Sequence, residues 1–147
     1  MNFRSIIVSM IGFGMLFVAT QATAQLWNPP PQAKPAEAPE AERVKVAEKG
    51  LTGKTDVVIL YAEGLCCPSC AIGIRKKVSG LQFVDTSGSN QGVDLNPQFQ
   101  LVTLKIKKEQ NVDAKKLAMA IDDAGYTPVR LYTMEKGKLV TTQLSLN

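Results

Sequence analysis

From Lys54 onward, apolar residues follow two different spacings in turn, and this alternation limits the chain to folds that combine strands with helices. Residues 57–61 are rich in β-branched and aromatic side chains and predict a buried strand that runs to Gly64. Pro68 then opens a segment in which apolar residues recur at helical spacing until Gly80. The sequence therefore predicts a strand followed directly by a helix.

The remaining segments extend this pattern to the C-terminus. The predicted elements are a second strand over 81–85, a polar loop over 86–97, a third strand over 99–107, a second helix from Asn111 or Asp113 to Gly125, a fourth strand over 126–134 and a possible extra C-terminal strand over 139–144. Strand, helix, strand, strand, helix, strand is typical of the α+β class and of the ferredoxin-like βαββαβ sandwich. We therefore expect an antiparallel sheet with two helices on one face.

The residues before this pattern do not have the composition of a folded domain. Arg4 precedes an apolar run over 6–18, and small residues follow at 22–24, so residues 1–24 predict a cleaved signal peptide and a periplasmic protein. That run is too short to span a bilayer, and we expect a mature chain that is not embedded in a membrane. Residues 25–53, rich in Pro and Ala, predict an extended linker. The folded domain is then expected over 54–147.

Charge and composition exclude several classes of function. Arg4 is the only charged residue in the predicted leader, so the mature chain has one basic residue fewer than the 17 basic and 13 acidic residues of the full sequence. A net charge of about +3 without a clustered basic stripe does not predict nucleic-acid binding. The chain has no His and only three Cys. Without His, neither a catalytic triad nor a zinc site with mixed Cys and His ligands can form, and we expect no enzyme.

The segment Gly-Leu-Cys-Cys-Pro-Ser-Cys, residues 64–70, lies between the first predicted strand and the first predicted helix. Two cysteines three positions apart at a helix entrance, Cys67 and Cys70, can bring their sulfur atoms to one side of the first turn. A pair of thiolates selects a soft ion such as Cu(I), and by the same argument Hg(II). The positive end of the helix favours thiolate over thiol. The sequence therefore predicts one soft metal ion per domain, held by Cys67 and Cys70.

Two sequence stretches together resemble the heavy-metal-associated domain family. Residues 64–70 match the family's Gly-Met-x-Cys-x-x-Cys loop with Leu65 in the Met place, and residues 122–126 match its Asp-x-Gly-Tyr stretch. The resemblance covers roughly residues 56–134 and extends to the family's periplasmic mercury-binding and copper-chaperone members. It implies a domain that binds a metal and hands it on. The implied partners are a cysteine-containing metal transporter or another metal-binding domain.

Other residues near the motif have two interpretations each. Cys66 occupies the family's variable position, as a small semi-exposed residue or as a third ligand. Leu65 is expected to replace the packing of the family's Met because the two side chains have similar volumes. Tyr126 either shields the metal loop, as the resemblance implies, or is an ordinary core aromatic. Residues 75–77, Arg-Lys-Lys, form either a solvated helix face or a docking patch for an acidic partner.

Two alternative functions use the same sequence. A Cys-x-x-Cys pair at a helix start is also the motif of thioredoxin-like thiol–disulfide oxidoreductases, and Thr127 and Pro128 could supply the proline that faces such a site. The predicted linker stands where that class has a strand and a helix, which favours metal binding. An interaction module that uses the sheet edge or the loop over 86–97 is the third class.

Overall fold

The computed structural model describes residues 37–66 and 69–146. Its elements are, in chain order, α1 (Glu40–Leu51), β1 (Val57–Glu63), α2 (Cys70–Val78), a short 3-10 turn (Ser89–Gly92), β2 (Val93–Asn96), β3 (Leu101–Lys105), α3 (Ala114–Asp122), β4 (Thr127–Glu135) and β5 (Lys138–Gln143). The predicted signal peptide over 1–24, and residues 25–36 of the predicted linker, lie outside the described residues. Within the described ranges, no helix combines the length and apolar character needed to cross a bilayer.

All five strands form one antiparallel sheet in the order β2-β3-β1-β4-β5. The predicted α+β class and the antiparallel sheet are therefore confirmed, as is the extra C-terminal strand. A turn through Lys136 and Gly137, both with positive φ, joins β4 to β5. Positive φ at both central residues suits the twist of a two-residue hairpin.

The central strand β1 is buried on both faces of the sheet. Because side chains alternate along a strand, Leu60 points to one face and Tyr61 to the other. On the first face, buried residues of the sheet pack with residues of α2 and α3; this core contains Val58, Leu60, Ala62, Leu65, Ile74, Val78, Val102, Leu104, Leu117, Ile121 and Leu131, among others. On the second face, α1 residues pack on the sheet; this core contains Ala47, Leu51, Ile59, Tyr61, Leu101 and Tyr132.

Helix α1 lies inside residues 25–53, which were predicted to be an extended linker. Its buried residues Ala47 and Leu51 are both 0% exposed and cover the second sheet face. Gly50 permits the close approach, since a Cβ built at this position would lie 2.7 Å from the Ile59 Cδ1 atom. The folded unit therefore includes the helix, and the helices lie on both faces of the sheet rather than on one.

The second strand begins later than predicted. Residues 81–85 are not a strand, and Val84 forms only an isolated bridge with Ile106. The second strand is β2, which pairs with β3 on the side away from β1 and lies inside the predicted loop. The chain leaves the ladder after Asp85 and returns at Val93, the first residue of β2. Asp85 and Gly92 meet so closely that a Cβ at Gly92 would overlap the Asp85 carbonyl oxygen. Residues 86–91 are therefore an excursion from the sheet edge.

The two remaining helices start close to their predicted positions. Helix α3 begins after Asp113, whose carboxylate accepts a hydrogen bond from the Lys116 backbone N–H at 3.0 Å, as an N-cap residue should. Helix α2 begins at Cys70, slightly after the predicted start at Pro68, which lies outside the described residues. The predicted βαββαβ sandwich with all helices on one face is not confirmed, because α1 precedes β1 and packs on the sheet face opposite to α2 and α3.

Candidate metal centre

The cysteine motif follows the end of the central strand. Strand β1 ends at Glu63, Gly64 has a φ of +92°, and α2 begins at Cys70. The left-handed conformation of Gly64 costs glycine little, so it allows the chain to turn sharply out of the sheet. Of the two predicted ligands, Cys67 lies outside the described residues. The side chain of Cys70 lies outside the described residues as well, so the approach of the two sulfur atoms to each other stays a prediction.

Leu65 and Cys66 point in opposite directions. Leu65 is 0% exposed and belongs to the core beneath α2 and α3, whereas Cys66 is exposed. The predicted packing role of Leu65 is confirmed. Cys66 is exposed rather than semi-exposed, and its role as a third ligand stays a prediction. An apolar side chain buried in the middle of the loop fixes the loop to the core. Moving this side chain into water would cost roughly 1.5–3 kcal/mol of free energy. The cysteine motif is thus anchored from below and open to solvent at Cys66.

Tyr126 lies beside the first residue of the loop. Its ring packs against the core of α2 and α3, and its Cδ1 atom is 3.7 Å from the position that a Cβ on Gly64 would occupy. The two sequence stretches that carried the family resemblance, residues 64–70 and 122–126, are therefore neighbours in space. The shielding of a metal ion by Tyr126 stays a prediction.

The start of α2 provides a suitable electrostatic environment for a thiolate. Its first turn contains no acidic residue, and Ser69, which precedes it, makes no side-chain capping hydrogen bond. The N–H groups at a helix start carry partial positive charge, which lowers the cost of a nearby anion. No side chain of this first turn brings a carboxylate that would compete with a thiolate for that charge.

The three basic residues of α2 have different environments. Arg75 is half-buried, and its Nε donates a hydrogen bond to the Val93 carbonyl oxygen at 3.1 Å, which ties α2 to β2. Lys77 faces Asp123, with 3.6 Å between the Lys77 Nζ and the Asp123 carboxylate. Lys76 is exposed. A docking patch on α2 would therefore depend mainly on Lys76, because Arg75 is bonded to β2 and Lys77 faces the opposite charge of Asp123.

The α1 face of the sheet carries a polar cluster that the sequence did not predict. Arg43 is only 3% exposed, and its guanidinium lies over the Tyr61 ring, 3.7 Å from the centroid. Glu37 accepts hydrogen bonds from the Tyr61 hydroxyl and from Arg43, and Glu40 pairs with Arg130. From composition alone, an Arg in a Pro/Ala-rich segment is expected to be exposed to solvent. Its burial becomes apparent only once α1 is seen to pack on the sheet.

Among the described residues, no group of three or more His, Cys, Asp or Glu side chains is arranged to hold a metal ion. Comparisons with protein-family models, with curated proteins and with solved structures find no match for this chain. The resemblance to heavy-metal-associated domains therefore rests on residues 64–70 and 122–126 alone.

Proposed function

We propose that this protein binds one soft metal ion, Cu(I) or Hg(II), between the thiolates of Cys67 and Cys70, and hands it to a partner that also presents cysteines. The observation that carries the proposal is the opposite placement of Leu65 and Cys66. This placement supports the view that the loop is anchored in the core at Leu65 and reaches the surface at Cys66, shortly before α2 begins. Such a loop suits a site that a partner's thiols must reach.

The chemistry of the motif favours transfer over storage. Two thiolates leave most of the coordination sphere of a soft ion open, and incoming thiols can exchange with them one at a time. The four-ligand arrangement of a structural zinc site has no His to complete it in this chain. The acceptor should therefore be a metal transporter or another metal-binding domain with paired cysteines, and the encounter should be short-lived.

The finer fold assignment and the location belong to the same proposal. Strands β1 to β4 with α2 and α3 follow the order strand, helix, strand, strand, helix, strand. We assign this part to the ferredoxin-like class and to the heavy-metal-associated family, with α1 and β5 as additions. The leader-like composition of residues 1–24 supports a periplasmic location.

One observation favours the alternative of a thiol–disulfide oxidoreductase. Pro128 is buried in β4 and pairs with Ala62, close to the end of the strand that leads to the cysteine motif. A redox site often has a proline near its cysteines, and a Cys-x-x-Cys pair at a helix start has a lowered thiol pKa in such proteins. Catalysis of insulin reduction by the protein, lost in the Cys67→Ser variant, would establish this function instead.

A serine series tests the two-ligand site. The reduced protein and its Cys66→Ser, Cys67→Ser and Cys70→Ser variants are each titrated with Cu(I) against a competing chelator. We expect Cys67→Ser and Cys70→Ser to abolish binding, and Cys66→Ser to change the affinity little because Cys66 is not a ligand. Equal losses in all three variants would contradict the two-ligand site and indicate three sulfur ligands.

A further inference from the structure

Arg43 is the only buried charged residue in the part of the chain that the structure describes. Besides stacking on Tyr61, its Nε donates to the Phe99 carbonyl oxygen at 3.0 Å, and one Nη donates to the Ala38 carbonyl oxygen at 3.0 Å. A buried guanidinium is stable only while its hydrogen-bond partners stay in place. Arg43 therefore fixes the first turns of α1 to β1 and to the turn that precedes β3.

That turn, residues 97–100, is itself in an unusual conformation. Gln100 has a φ of +55°, and its N–H donates to the Pro97 carbonyl oxygen at 3.3 Å. A left-handed conformation is uncommon for a residue other than glycine and needs support from its surroundings. Arg43 supplies two contacts to this turn, one to Phe99 and one to the side-chain oxygen of Gln100 at 3.4 Å.

The turn over residues 97–100 also holds the end of β1. The backbone N–H of Ala62 donates to the Gln100 carbonyl oxygen at 3.0 Å. On the other side of β1, the register with β4 shifts between Tyr61 and Ala62, where Pro128 stands opposite Ala62. A proline has no N–H to give to the ladder, so β4 holds this part of β1 less regularly. The bond from Ala62 to Gln100 is therefore a main support of the strand just before Gly64.

We propose that Arg43 is a positioning residue for the cysteine loop. By holding Tyr61 and the turn over 97–100 it sets the end of β1, from which Gly64 and the loop depart. The effect on metal binding rests on the proposed function, because the metal is held by the loop. Groups that hydrogen-bond to metal ligands without touching the ion contribute to affinity, and Arg43 would act one step further away, through the end of the strand from which the ligand loop departs.

Arg43→Met and Leu51→Ala form a matched pair for testing this role. Both remove a buried side chain of α1, but Leu51 lies at the opposite end of the helix from the Tyr61 contact. The free energy of unfolding is measured for each variant, so that their effects can be compared at similar losses of stability. Cu(I) affinity is measured for the reduced proteins, and amide hydrogen exchange over residues 62–65 is measured without metal.

For Arg43→Met we expect a loss of Cu(I) affinity of about tenfold or more and faster exchange over 62–65. Leu51→Ala should change neither quantity beyond what its loss of stability explains. Tyr61→Phe keeps the ring beneath Arg43 and should retain the wild-type affinity. Equal effects of Arg43→Met and Leu51→Ala, or no effect of Arg43→Met, would overturn the proposal.

Two further results remain informative. If Arg43→Met does not fold, Arg43→Lys takes its place, because it keeps the charge but loses the planar guanidinium that stacks and donates in several directions. If the wild-type protein binds no soft metal, the proposed function fails, yet hydrogen exchange over 62–65 still decides whether Arg43 sets the loop. Unchanged exchange in the Arg43 variant would then reject the positioning role by itself.

Discussion

The Arg43 guanidinium lies 3.7 Å from the centroid of the Tyr61 ring, so a buried cation of α1 rests on an aromatic side chain of the central strand. Such a contact is worth about 2 kcal/mol when it is shielded from water. It joins the helix that covers one sheet face to the strand that leads to the cysteine motif. The state of Tyr61 is therefore a sensitive reporter of whether α1 is docked.

The first prediction concerns the ionisation of Tyr61. Burial, together with the hydrogen bond to Glu37, raises the pKa of Tyr61 from 10.0 to about 12. The folded protein then keeps the phenol proton at a pH where the unfolded chain loses it, so this contribution to stability is full below about pH 10 and is lost as the pH rises toward 12.

An alkaline titration of phenolate absorbance checks this shift. The difference between the wild-type protein and Tyr61→Phe isolates the Tyr61 signal, and its midpoint should lie near 12. Tyr61→Phe should also flatten the fall of the unfolding free energy above pH 10, since the group that titrates is gone. A difference signal centred near 10 would mean that Tyr61 is not buried under α1.

The second prediction concerns Leu65, which anchors the cysteine loop. Leu65→Ala should lower the free energy of unfolding by about 2–5 kcal/mol, because it leaves a cavity at a fully buried site. Leu65→Met keeps the volume and should cost less than about 1.5 kcal/mol. Urea denaturation measures both. If Leu65→Ala were as stable as the wild type, the loop would not be anchored in the core.

The sequence contained a signal for α1 that composition obscured. Residues 57–61 are apolar without alternation, which indicates a strand covered on both faces. Two helices on one face leave the other face of such a strand open, so a third covering element was required. Val44, Ala47 and Leu51 have the spacing of one helix face. The neighbouring prolines and the high Glu and Lys content favoured a linker instead. Local composition does not show that this segment packs on the second face of the sheet.

The late start of β2 has a different cause. Phe83 and Val84 are buried, so their apolar character correctly predicted core residues but not their hydrogen bonding. The excursion over 86–91 depends on the close approach of Gly92 to Asp85, a contact that no periodicity reveals. At the site, the motif was apparent from the sequence, whereas the role of Arg43 depends on contacts between residues far apart in the chain.

The third prediction tests the closure of this excursion. Gly92 has a φ of +71°, and a Cβ there would meet the Asp85 carbonyl oxygen, so Gly92→Ala should destabilise the fold by about 1–3 kcal/mol through backbone strain, with the clash adding to it. Gly88→Ala is the control, because a Cβ at Gly88 meets nothing within 4 Å. Equal unfolding free energies for the two variants would show that the Asp85 and Gly92 backbones do not meet.

The fourth prediction concerns docking of an acidic acceptor. Lys76 lies about 9 Å along the axis of α2 from Cys70, at 1.5 Å per residue, so Lys76→Glu should slow metal transfer but leave metal affinity nearly unchanged. The slowing should fade at high salt, since charge attraction acts on the encounter rate. Lys138→Glu, on the edge strand β5, makes the same change of net charge away from α2. If stopped-flow measurements show that both variants slow metal transfer to the same extent, Lys76 acts only through the overall charge of the protein.

The most direct test of the account is native mass spectrometry of the reduced protein titrated separately with Cu(I), Hg(II) and Zn(II). Two thiolates without His should retain one Cu(I) or one Hg(II) per chain and release Zn(II). The Cys67→Ser/Cys70→Ser double variant should lose the Cu(I), and any Hg(II) held by the exposed Cys66 thiolate alone should be removed by a competing thiol that leaves the wild-type complex intact. A wild-type chain that holds Zn(II) but not the soft ions, or a double variant that binds like the wild type, would contradict the assignment of Cys67 and Cys70 as a soft-metal site.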